Sequence, residues 1–126
     1  MRITELRLKV QSLSFIPDTQ AADSLIKAVF GHLASRMSER QAKELTRGLP
    51  GSLNYATLRG RQIGQANIST AQFKEDITRQ FGLDADQAAQ AIGIVTHRLK
   101  EEFPEQTIRQ WEDGLPEDWA LLLDQV

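Results

Sequence analysis

The chain of 126 residues matches itself when slid by 66 positions without a gap, and no other feature constrains its fold as strongly. Gly48-Leu49-Pro50 falls on Gly114-Leu115-Pro116, Phe15 on Phe81, Asp18 on Asp84, Ala22 on Ala88, Ile26 on Ile92, Val29 on Val95, Leu33 on Leu99 and Glu39 on Glu105. Positions that differ keep their character: Met37 with Phe103, Ala42 with Ile108, Leu45 with Trp111 and Leu53 with Trp119. Self-similarity at one fixed spacing marks a copied structural unit, which buries its apolar side against its neighbour.

The pattern inside each copy is helical. Ala22, Ile26, Val29, Leu33 and Met37 step by four, three, four and four, and Ala88, Ile92, Val95, Leu99 and Phe103 repeat those steps, as one face of an α-helix requires. Asp18 and Asp84 stand where N-caps belong, and Gln87 completes a capping box after Asp84. The next helix begins at Ser38, with Gln41 reaching back, and its counterpart begins at Pro104. Gly48 and Gly114 read as stops able to take the left-handed conformation, and Pro50 and Pro116 as the first residues of a further short helix. Residues 3–13 form an opening helix with Ile3, Leu6, Val10 and Leu13 on one side. Its counterpart spans 69–81, with Phe73, Ile77 and Phe81 inward and Ser69 or Thr70 as cap. The stretch from Arg59 to Ser69 holds two glycines and no period, and reads as a linker. The expected fold is therefore a single all-α domain of two tandem helical repeats, three to four helices each, packed as a pseudo-two-fold bundle. Repeat one covers about 3–58, the linker about 59–68 and repeat two about 69–125.

Composition agrees with this. Few β-branched and aromatic residues stand beside many Ala, Gln, Leu, Glu and Arg, a mixture that favours helix. The absence of cysteine removes disulfides, thiolate chemistry and the common zinc frameworks, and points to a reducing cytoplasm. The N-terminus mixes Arg, Glu and Lys into its apolar positions, unlike a secretory signal, and no segment approaches the roughly 20 apolar residues that span a bilayer.

The pattern Ala-x3-Ile-x2-Val-x3-Leu, followed by an Arg-Met, a Gln-Ala and then Leu-Pro, and repeated once, resembles the prokaryotic family known as domain of unknown function 2267. The resemblance covers nearly the whole chain. It implies a duplicated, all-helical, cytoplasmic bacterial domain, and it implies no activity and no functional residues. The second copy departs from the pattern by replacing the Arg-Met with Glu102-Phe103, so a role of Arg36 is not duplicated.

Candidates for chemistry resolve into structure. His32 and His97 fall one position apart under the repeat, about 100° apart on equivalent helices, and read as surface or boundary histidines with no metal between them. The segment from Asp84 lacks the glycine and glutamate of a calcium loop. Glu101-Glu102 and Glu112-Asp113 are sequence neighbours that leave a helix on different sides and read as solvated surface. Trp111 and Trp119 align with leucines and read as core. No catalytic residue, cofactor or metal is expected.

Charge is the feature left over. Residues 1–66 hold ten basic and five acidic residues, a net of +5, and the rest hold five basic and twelve acidic, a net of −7, giving the −2 of the whole. Halves of opposite sign attract each other within one molecule or between copies, so a protein partner or self-association is expected. The candidate interaction surface is Arg36, Arg40, Lys43, Arg47, Tyr55, Arg59 and Arg61. The same residues suit an anionic partner such as nucleic acid, although the net acidity and the lack of interleaved aromatics disfavour it. An enzyme of unrecognised type is the remaining alternative.

Overall fold

A computed structural model of the chain describes residues 3–49 and 69–124, and of Ile3 its backbone alone. Those residues form α-helices and short connections with no strand. In order they are α1 (Ile3–Gln11), α2 (Thr19–Arg36), α3 (Glu39–Arg47), α4 (Thr70–Phe81), α5 (Ala85–Glu102), α6 (Glu105–Gly114) and α7 (Glu117–Asp124). The assigned linker, Pro50, Leu53, Tyr55, Arg59 and Arg61 lie outside the described residues.

Each long helix starts where a side chain can satisfy its first amides. Asp18 accepts from the Ala21 N–H at 2.8 Å, and Asp84 accepts from the Gln87 N–H while Gln87 accepts from the Asp84 N–H. Ser69 and Gln72 make the same reciprocal box at α4. Ser38 caps α3, but Gln41 does not turn back to it. Its amide Nε2 donates instead to the Gln110 carbonyl at 3.2 Å, tying α3 to α6.

The helix stops differ from expectation. Gly48 ends α3 with φ −86° and ψ −3°, an ordinary right-handed value, and Gly114 likewise has no positive φ. Space explains them better: a Cβ on Gly48 would stand 2.4 Å from Phe103 Cζ, and one on Gly114 would stand 2.8 Å from Gln41 Nε2. Each glycine thus admits a side chain from the other half. The left-handed stop occurs at Gly82 (φ 64°), which ends α4 so that Leu83 can donate to the Thr78 carbonyl at 2.9 Å.

Two 18-residue helices carry the packing. α2 lies against α1, α3, α4 and α5, while α5 also receives α1 and α4, and α7 packs on α4 and α6. Leu6, Val10, Ile26, Leu33 and Leu45 join Phe73, Ile77, Ile92, Leu99, Trp111 and Trp119 in one buried cluster drawn from both halves. Beyond its expected stripe α2 also buries Leu25, Ala28, Phe30, Gly31, His32 and Ala34, because it has neighbours on most of its sides. The corresponding turns of α5 are more solvated: Phe30 is matched there by buried Thr96, whose hydroxyl donates to the Ile92 carbonyl, but Gly31 by exposed His97 and His32 by half-buried Arg98.

A carboxylate fastens α7 to the start of α4. Asp118 Oδ2 accepts from the Thr70 N–H at 2.8 Å, which with lesser help from the Trp119 N–H holds the Asp118 pKa below its ordinary value. A depressed carboxylate pKa stabilises the fold fully above the unfolded-state value, and the contribution disappears as pH falls through the folded one. Asp118→Ala is therefore expected to cost about 1 kcal/mol at pH 7, trimmed by the half-exposed setting. The difference from wild type should shrink below about pH 4. Urea melts at pH 7 and pH 3 measure both; a difference that grows on acidification contradicts the assignment.

Candidate functional site

Helix α3 presents three sides with three employments. Ala42 and Leu45 are buried in the core. Gln41, Glu44 and Gly48 meet the second half, where Glu44 Oε1 accepts from the buried Trp111 indole N–H at 3.0 Å and Gly48 lies under the Phe103 ring. Arg40, Lys43 and Arg47 occupy what is left, spaced by three and four residues and all exposed, so they share one solvent face. Lys43 pairs with Glu39 at 3.1 Å, an exposed i,i+4 contact of little energy. Among the described residues Arg40 and Arg47 take part in no ion pair.

The structure therefore unites three of the seven candidate residues. Arg36, at the end of α2, is half-buried and makes contacts of its own, which separates it from the exposed stripe. Tyr55, Arg59 and Arg61 fall outside the described residues. Beside the stripe, Ser38, Arg40, Gln41 and Glu44 of α3 and Gln110 and Trp111 of α6 line a shallow cleft of about 370 Å³.

Among the described residues the joint between the halves does not simply follow their bulk charges. A direct ion pair across it joins Arg98 to Glu5 at 2.9 Å, so the base comes from the acidic half and the acid from the basic half. Arg98 also holds Glu101 at 3.3 Å and Glu102 at 2.9 Å. The adjacent glutamates read as solvated surface thus converge on one guanidinium. Within the first half, Arg7 and Asp23 pair at 2.6 Å between α1 and α2.

His32 is a correction. It is only 4% exposed, not a surface or boundary residue, with Nδ1 donating to the Ala28 carbonyl at 2.7 Å and Nε2 3.8 Å from Asp76 Oδ2. Its ring lies 4.9 Å from that of Phe73, which in turn lies 5.1 Å from Trp119, so α2, α4 and α7 are joined by a run of three rings. The run Ala28-Val29-Phe30-Gly31 before it was the available signal, since a helix apolar all round is buried all round. His97 is exposed and lies 3.1 Å from Glu101. Among the described residues no group of three or more His, Cys, Asp or Glu could hold a metal ion, and no helix is long and apolar enough to cross a membrane.

Comparison with known proteins gives no match to a curated protein or to a solved structure. The family model described as "Uncharacterized conserved protein (DUF2267)" does match, over residues 5–122, from the first turn of α1 into α7. With nearly the whole length covered, the chain belongs to the DUF2267 family of uncharacterized conserved proteins.

Proposed function

We propose that this protein is a non-catalytic interaction or regulatory module of the cytoplasm, which docks an acidic protein surface on the exposed face of α3. The observation that carries the proposal is the pair Arg40 and Arg47, aligned on a face the core does not use and engaged by no carboxylate among the described residues. Three like charges on one short helix face repel one another, and an acidic partner relieves that. We further propose that α1–α3 and α4–α7 are two copies of one unit related by a pseudo-two-fold axis. The matching 18-residue lengths of α2 and α5, the caps Asp18 and Asp84, and the reciprocal approach of Gly48 and Gly114 to the opposite half support this.

The test is affinity capture from the native cytoplasm with wild type and R40E/R47E side by side. Proteins captured at low salt should fall by about tenfold in the variant, and equal capture by both would refute the docking face. The same stripe suits a phosphate backbone, which the net charge of −2 disfavours. A low-salt mobility shift of double-stranded DNA or RNA by the wild type, lost in R40E/R47E, would transfer the face to nucleic acid.

A further inference from the structure

We infer that the acidic surface met by α3 is that of a second copy of this chain, at the corner where α6 turns into α7, in a two-fold pair. The inference rests on the docking face proposed above and names its partner. Asp113, in the last turn of α6, and Glu117, at the start of α7, are both exposed, and among the described residues neither takes part in an ion pair. Asp113 is placed unfavourably for its own helix, because a carboxylate at a C-terminus faces the negative end of the macrodipole. Asp118, one residue beyond Glu117, is already committed to Thr70. Among the described residues Arg40 and Arg47 on one side, and Asp113 and Glu117 on the other, thus take part in no ion pair, and the pair Arg98–Glu5 between the halves leaves all four untouched.

Their arrangement favours a closed pair. Both patches border the α3–α6 seam, where Gln41 reaches the Gln110 carbonyl and Gly114 abuts Gln41. Asp113, two residues after buried Trp111, lies about 200° around α6 from it, on a side of the helix open to solvent. In a two-fold pair each stripe meets the partner's corner, every contact is made twice, and no unmatched surface remains to propagate a chain.

Charge reversal tests this directly. R40E/R47E makes both patches acidic, and D113K/E117K makes both basic. Light scattering should give twice 14.2 kDa for the wild type at low salt and a monomer in high salt, where screening shortens to a few ångströms. Each variant alone should be monomeric at low salt, with its circular dichroism unchanged. The equimolar mixture should restore the pair, because either chain then offers what the other lacks. A wild type that stays monomeric at low salt overturns the inference and leaves the α3 face to its capture experiment. A wild-type dimer that R40E/R47E does not weaken overturns both. Monomeric variants whose mixture stays monomeric overturn the two-fold arrangement while retaining α3 as a contact face.

Discussion

Trp111→Ala is expected to remove about 3–5 kcal/mol of folding free energy, the range for emptying an aromatic from a packed core. Against the roughly 5–15 kcal/mol typical of small domains, that is about a fifth or more of the total. The indole is fully buried, stands edge-on to Phe103 with centroids 4.8 Å apart, and donates to Glu44 across the seam. It fills the space between the halves and satisfies its own polar atom there. Trp111→Phe keeps most of the ring while deleting the donor, and half-buried Glu44 can turn to water, so about 1–2 kcal/mol is expected. Urea titration followed by circular dichroism measures both. A loss under about 1 kcal/mol for the alanine variant would show that the seam is not where the halves hold together.

Gly48→Ala is expected to destabilise by about 1–3 kcal/mol through overpacking. The sign is informative, because the backbone at Gly48 is right-handed and suits alanine, so propensity alone predicts a gain of up to about 1 kcal/mol. The ring of Phe103, 2.4 Å from where the new carbon must sit, opposes it. Gly48→Ala with Phe103→Leu should recover most of the loss, as measured by the same titration. Gly114→Ala is milder: the atom in its way is the end of the flexible Gln41 side chain, which can swing aside at the cost of one hydrogen bond, about 1 kcal/mol. A gain in stability at both glycines, as helix propensity alone predicts, would mean that neither is there for space.

The two glycines show how a correct sequence reading can rest on an incorrect cause. Gly-Leu-Pro does mark the ends of α3 and α6, and a short helix does follow Pro116. The reason lies in side chains more than 50 residues away, and a local pattern carries no record of those. Gly82, where left-handed geometry is required, attracted no notice because Phe81 before it still belongs to the helical period. His32 escaped for a related reason: the period identified one buried face of α2, and burial of its other faces depends on how many helices gather around it. On α3, spacing alone brought Arg40, Lys43 and Arg47 together, while Arg36 belonged to them only in sequence.

Helical periodicity, caps and the 66-residue self-match determined by themselves that this chain is helical, where its long helices begin and which of their faces are apolar. These are properties of neighbours along the chain, set by backbone hydrogen bonding and a period of 3.6 residues. Only the tertiary structure decided that α2 would be enclosed more completely than α5, that Trp111 and Glu44 would join the halves, and that Arg98 of the second half would pair with Glu5 of the first. Those outcomes depend on which surfaces meet, and burial, close approach and ion pairing are fixed by that meeting alone.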